Sequence, residues 1–288
     1  MSESKPSYIL TLSCPDAVGI VAAVTTQLAE HGGLITEAHH FREPLSSSTV
    51  LRIVFESGRA ASLDLSRLRA DFAPMAERFA MTWRLHEAAV RPRVLVAVSR
   101  QGHCLNSLLH RWASGTVPID IVGVVSNHET QRRLVEWHEL PFHYLPIEPG
   151  RKEAQEEKLL AFFETLQAEL LVLARYMQVL TDKACRQLAG RAINIHHSFL
   201  PGFKGAKPYH QAFERGVKLI GATAHYVNAD LDEGPIIEQA VERVDHTMTV
   251  EQLTTLGHDI EAVVLNRAVQ WHAERRIFGF GNRTVVLR

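Results

Sequence analysis

The sequence predicts an α/β protein in two units, and three observations carry that expectation. Short strands and amphipathic helices follow one another in the order βαββαβ through residue 86. A short stretch at Glu87–Arg93, with Pro92, breaks the pattern and reads as a linker. From residue 94 onward, near-continuous apolar strands alternate with helices, the pattern of a mostly parallel sheet covered on both faces. The expected division is therefore 1–86, 87–93 and 94–288, and 288 residues exceed what most single cores hold.

In the first unit, Tyr8–Leu12 reads as a strand and Val18–His31 as a helix closed by Gly32-Gly33, since glycine adopts the left-handed cap conformation freely. Leu34–Arg42 and Thr49–Glu56 read as strands around a turn at Pro44 and Ser46-Ser47-Ser48. Leu65, Leu68, Phe72, Met75 and Phe79 recur at helical spacing, with Pro74 as a point where that helix could kink. Met81–Leu85 supplies a last strand and completes a ferredoxin-like order.

In the second unit, Val94–Val98, Ile119–Val125, Leu170–Leu173 and Ala192–Ile195 are strands. Leu105–Trp112, Gln131–Glu139, Lys152–Leu166 and Val250–Arg275 are helices. Ligands of such sheets sit beyond the carboxyl ends of the strands, which is where Asn194 and His196 fall.

Composition narrows the function classes. Lys+Arg (31) and Asp+Glu (32) cancel, so no global field draws the chain to nucleic acid or a membrane surface. The opening Met1–Pro6 lacks the basic-then-apolar run of a signal peptide, and no apolar stretch approaches the ~20 residues of a membrane span. Three widely spaced cysteines, Cys14, Cys104 and Cys185, fit reduced thiols and a cytoplasmic location. Cys104 follows His103, but nothing in the sequence supplies an activated thiolate.

Ser13-Cys14-Pro15-Asp16-Ala17-Val18-Gly19-Ile20-Val21 joins the first strand to the first helix. Asp16 is placed to cap that helix, and Gly19 allows close approach of a backbone or small ligand. The segment resembles the D-x-x-G-[IL]-[VL] signature of ACT domains, regulatory ferredoxin-like modules. The resemblance implies pairing into a homo-oligomer, with an amino-acid effector held near Asp16, Gly19 and Ile20; a unit that only holds an oligomer together fits the same residues.

The second unit carries Asn194-x-His196-x-Ser198-x-Leu200-Pro201, then Gly205, then Gly221-Ala222-Thr223-Ala224-His225, then Leu231-Asp232-x-Gly234-Pro235. These blocks, in this order, resemble the formyltransferase fold family, which uses 10-formyltetrahydrofolate. The resemblance implies a Rossmann-like domain, a folate substrate, and Asn194, His196 and Asp232 as catalytic groups. The residue types suit the chemistry. Attack on a formyl carbonyl builds charge on oxygen, and each preorganised donor there lowers the barrier by about 2.7–4 kcal/mol. Asn194 donates an N–H, His196 donates when protonated, and Asp232 favours that charged ring and accepts a proton from water. Arg175-Tyr176-Met177-Gln178-Val179-Leu180 resembles the family segment against the pteridine, with Val227–Asp232 as the other wall. Met177, Gln178, Leu180, Val227 and His225 are thus candidate substrate contacts, with simple core packing as the alternative for Met177 and Leu180 and a satisfied core histidine as the alternative for His225. The tandem His196-His197 invites a metal, but adjacent side chains diverge in extended backbone and no spaced ligand set completes a tetrahedral site, so no metal and no cofactor is expected.

The acceptor separates hydrolysis from transfer. A phosphorylated acceptor needs a glycine-rich turn at a helix N-terminus, whereas Ser99–Asn106 holds the single glycine Gly102. A nucleic-acid acceptor would call for a further domain after the last helix, and no residues remain for one. The form His196-His197-Ser198-Phe199-Leu200-Pro201, the run Pro118–His128 and the tail Gly281–Val286 resemble the deformylase branch of the family, in which water is the acceptor. Transfer to an unidentified amine is the alternative.

Overall fold

The computed structural model describes residues 6–58, 63–202 and 208–288. The motif glycine Gly205 and residues 1–5 lie outside the described residues. The chain divides into two compact units between Val90 and Arg91.

The first unit runs β1 (Ser7–Pro15), α1 (Ile20–Glu30), β2 (Gly33–Glu43), β3 (Ser48–Ser57), α2 (Leu65–Arg78) and β4 (Thr82–Glu87). Its sheet is antiparallel in the order β2-β3-β1-β4, the split βαβ arrangement. Ile20, Val24 and Leu28 recur every four residues along α1 and bury one stripe, joined by Leu68 and Phe72 of α2 over Leu10, Leu12, Leu51 and Ile53 of the sheet. Asp64 starts α2 by accepting the N–H groups of Ser66 and Arg67. Pro74 lies inside α2, which continues past it to Arg78. Gly32 closes α1 at φ 74°.

The expectation for Asp16 is corrected. The cap of α1 is Gly19 at φ 91°, with no side-chain hydrogen bond. Asp16 sits three residues too early to reach the first turn and turns instead to β2 and β3, accepting from Thr49 Oγ1 at 2.7 Å and from Arg42 Nε. These two bonds, Thr49 foremost, hold its carboxyl below the usual carboxylate range. Ile20 is 3% exposed, so its side chain belongs to the core rather than to a ligand surface.

The second unit runs β5 (Arg93–Val98), α3 (His103–Ala113), β6 (Asp120–Ser126), α4 (Arg132–Trp137), β7 (Phe142–Tyr144), α5 (Lys152–Thr165), β8 (Leu170–Leu173), α6 (Asp182–Gln187), β9 (Ala192–His196), α7 (Pro208–Arg215), β10 (Leu219–Tyr226), β11 (Ile236–Arg243) and α8 (Val250–Ala273). Seven strands form one sheet in the order β11-β10-β9-β8-β5-β6-β7. The strands from β9 through β7 are parallel, and β10 and β11 run antiparallel at one edge. Val94–Val98 are completely buried, which explains why β5 is a continuous apolar run instead of an alternating one.

The tail departs from the linear division of the chain. After α8, Glu274–Phe280 and Val285–Arg288 belong to the first unit, and Gly281–Thr284 to the second. Buried Arg52 is the reason, because an interior guanidinium needs partners. Its Nε donates to the Glu274 carbonyl at 2.9 Å and its Nη1 pairs with Glu37 at 2.7 Å, while Arg276 Nη1 meets Glu37 at 2.9 Å.

At Gly19 a Cβ would meet no atom within 4 Å, so its requirement is purely one of backbone angle. Gly19→Ala is therefore expected to lower the stability of the first unit by about 1–2 kcal/mol, the strain of a left-handed L-residue. Urea unfolding followed by circular dichroism would read it, and an unchanged midpoint would contradict it.

Candidate active site

The order of the sheet places the site. From β5 the chain moves outward through β6 and β7, then returns to place β8 and β9 on the other side of β5. A crevice opens at such a reversal, beyond the strand carboxyl ends. The loops after β5 and β8 meet there. Ser99 N–H donates to the Arg175 carbonyl (3.2 Å), and the Ser99 hydroxyl accepts from Met177 N–H (3.0 Å) while donating to Asn127 Oδ1 (2.8 Å). The cavity bounded by these loops has a volume of about 620 Å³.

Asn194 and His196 are two residues apart on β9 and so share a face. Cross-strand pairing sets His225 of β10 directly opposite Asn194. Asp232 arrives on the Val227–Pro235 loop between β10 and β11, itself at φ 58°. Asp232 Oδ2 lies 3.2 Å from His196 Nδ1, and Asp232 Oδ1 lies 3.7 Å from His225 Nε2. Asn194 Nδ2 is 3.2 Å from His225 Nε2, and His225 Nδ1 is 2.9 Å from the Tyr226 carbonyl. All four side chains line the cavity. The loop leaves no slack: a Cβ on Gly234 would collide with the Tyr226 carbonyl.

Burial works to raise the Asp232 carboxyl, but hydrogen bonds and charge from His196 and His225 outweigh it and hold the group well below the usual carboxylate range. His197 differs from its neighbour. Burial, then the Arg175 and His196 charges, bring it down to about 4, so its ring is neutral at pH 7. His196 Nε2 is buried with no hydrogen-bond partner.

Met177, Gln178, Leu180, Val227 and His225 line the same cavity. The question of core packing divides among them. Met177 is 55% exposed and is no core residue, whereas Leu180 and Val227 also pack against the buried cluster around Leu171 and Leu173, and His225 is 3% exposed.

A second polar group was not legible in the sequence. Gln101, Arg175, Tyr209 and His258 form another part of the cavity wall. Beneath them Glu261 of α8, 0% exposed, accepts from His103 Nε2 at 2.7 Å and Tyr209 Oη at 2.6 Å and pairs with Arg175 at 3.3 Å. Potential ligand atoms of His103, Cys104 and Glu261 lie within 4.8 Å of one another, a spacing a metal ion could use. The donor set does not suit one. Arg175 already neutralises Glu261, and burial together with the Glu261 charge pushes the Cys104 thiol up and keeps it protonated.

Two outcomes follow from this geometry. The depressed Asp232 carboxyl contributes stability that is complete above its unfolded value of about 3.9 and is lost as pH falls below that toward the folded value. The melting-temperature gap between the unsubstituted chain and Asp232→Asn is accordingly expected to stay level from neutral pH down to about 5 and to narrow in more acid solution. A gap that widens on acidification would contradict the assignment. Gly234→Ala is expected to displace the loop and uncouple the His196–Asp232 pair, read as a displacement of the His196 ring resonances by NMR; unchanged resonances would contradict it.

The family model for formyl transferases matches residues 92–269. The chain is similar to a formyltetrahydrofolate deformylase of Corynebacterium sp. (strain P-1), 51% identical over 98% of each chain. One from Bacillus subtilis (strain 168) is 48% identical, covering 96% of this chain and 92% of that one. Among solved structures, the crystal structure of formyltetrahydrofolate deformylase from Burkholderia mallei superposes with a TM-score of 0.93 at 54% identity, over 98% of this chain and 100% of that one. Similarity of this extent, spanning both units and the site, establishes that the chain belongs to the formyltetrahydrofolate deformylase family.

Proposed function

We propose that the chain hydrolyses 10-formyltetrahydrofolate to formate and tetrahydrofolate, the reaction for which its family is named. The observation that carries this reading is the meeting of an amide, an imidazole and a depressed carboxylate, Asn194, His196 and Asp232, in one cavity. Asp232 orients a water and takes its proton as the oxygen attacks the formyl carbon. Asn194 Nδ2 and protonated His196 donate to the oxyanion that forms. The unpartnered His196 Nε2 supports this role, since a buried ring nitrogen without a partner in the free protein is available to the reacting group. Collapse of the intermediate breaks the bond to N10, which takes a proton relayed through His196, and formate and tetrahydrofolate leave. The folate lies between the Met177–Leu180 segment and the Val227 wall, with Gln178 and His225 at its edges. The folate is substrate, and no cofactor enters the reaction.

The first unit acts as an ACT module that joins subunits into a homo-oligomer and binds an amino-acid effector near Asp16, Gly19 and the backbone of Ile20. Exposed Val18, Leu34, Phe41 and Leu45 support pairing through this unit. The division into a regulatory segment 1–86 and a catalytic segment from 94 follows the same reading. No helix among the described residues is long and apolar enough to cross a membrane, and the reading places the enzyme in the cytoplasm, balancing the one-carbon pool and supplying formate for purine synthesis.

A turnover assay with 10-formyltetrahydrofolate and no added amine tests the function. Formate and tetrahydrofolate are expected in equal amounts, with Asn194→Ala slower by about 10²–10³-fold and Asp232→Ala inactive. Formation of a formylated product only after an amine is supplied would replace hydrolysis with transfer.

A further inference from the structure

The wall made by Gln101, Arg175 and Tyr209 has the donor chemistry of an oxyanion site. A guanidinium fork and a phenol are the groups that grip a carboxylate or phosphate. Here they are already engaged. Arg175 Nε and Nη2 donate to Gln101 Oε1 at 3.0 and 2.6 Å, Tyr209 donates to Glu261, and Glu261 also pairs with Arg175 from beneath. Arg175 holds this position at φ 63°, a left-handed conformation that an L-residue keeps where the surroundings over-determine it. At the start of α3, where an anion would find free N–H groups, the Gln131 side chain lies so close that a Cβ on Gly102 would overlap it. Its Nε2 donates to the Arg100 carbonyl at 2.7 Å.

We propose that Glu261 acts as an internal anion that keeps this wall neutral, so that the pocket does not retain small oxyanions and the product formate is released. The inference rests on the hydrolytic reading, because hydrolysis is what generates an anion in this cavity. Charges nearby are consistent with it. Burial lowers His197 and His258 towards their neutral forms, and burial with the Glu261 charge keeps Tyr209 and Cys104 protonated. The balance at the wall therefore turns on Glu261 and its two basic partners, Arg175 at 3.3 Å and His103 at 2.7 Å. Glu261 touches no reacting atom; it is a positioning residue that occupies Arg175. A small oxyanion at this wall has two sources, formate from the reaction or the phosphate of an acceptor molecule, and the two are separable by titration.

Glu261→Gln keeps the shape and removes the charge. Calorimetric titration of the folded full-length variant with sodium formate, and separately with inorganic phosphate, reads affinity without turnover. Formate is expected to bind about tenfold or more tightly than to the unsubstituted chain, the effect of one charge-assisted hydrogen bond from a guanidinium that Glu261 no longer neutralises. Product inhibition by formate is expected at correspondingly lower concentration, with restoration in Arg175→Gly/Glu261→Gln, where glycine suits the left-handed backbone. Unchanged formate affinity in Glu261→Gln would overturn the proposal. Tighter phosphate binding alone would also overturn it, in favour of a role against phosphorylated acceptors. Should Glu261→Gln not fold, Glu261→Asp draws the carboxylate back from Arg175 and is expected to tighten formate binding to a lesser degree; no tightening there is equally decisive. Absence of hydrolysis by the unsubstituted chain would sink the reaction assignment and leave the affinity comparison standing.

Discussion

The candidate active site depends on one strand pairing, that of β9 with β10 in opposite directions. Alternation along β9 puts Asn194 and His196 on a common face, and the antiparallel register sets His225 across from Asn194. β10 and β11 also run antiparallel, so the chain needs no crossover between them. Instead a short loop joins β10 to β11 and returns Asp232 to within 3.2 Å of His196. The amide and imidazole therefore come from one strand, β9, and the carboxylate from the loop that follows its neighbour β10.

Some of the chain's backbone strain falls at the same cavity. Asp232 and Arg175, neither of them glycine, both take positive φ on loops that line it. Each conformation costs on the order of 1–2 kcal/mol. Both residues make side-chain contacts that offset this cost, the histidine pair for Asp232 and the Gln101–Glu261 contacts for Arg175. The Ser99 hydroxyl adds stiffness by joining Met177 to Asn127, so this wall of the cavity is held by internal hydrogen bonds.

The sequence carried much of this. Continuous apolar runs revealed the buried strands β5, β6, β8 and β9, because a strand covered on both faces has no polar side to alternate with. The trio was legible because its members fall in ordered blocks with a chemical rationale. The antiparallel edge was not legible: Gly221–His225 stood out as a motif, but nothing in one strand's composition states the direction of its neighbour. Arg175 read as part of a folate-facing segment, since a dihedral angle leaves no mark on residue identity. Glu261 is one carboxylate among several on a long helix, and burial alone distinguishes it. Asp16 failed as a cap because a three-residue offset decides reach, and sequence fixes the start of a helix no better than that.

The Tyr226 carbonyl, which receives the His225 ring, has a consequence for the amide across the strand. A carbonyl offers only lone pairs, so His225 Nδ1 must carry the hydrogen between them. Nε2 is therefore the nitrogen turned to the site, facing the Asn194 amide at 3.2 Å and Asp232 Oδ1 at 3.7 Å. One backbone oxygen thus decides which edge of the ring serves the amide and the carboxylate, so that peptide geometry one residue beyond the histidine orients a side chain inside the cavity.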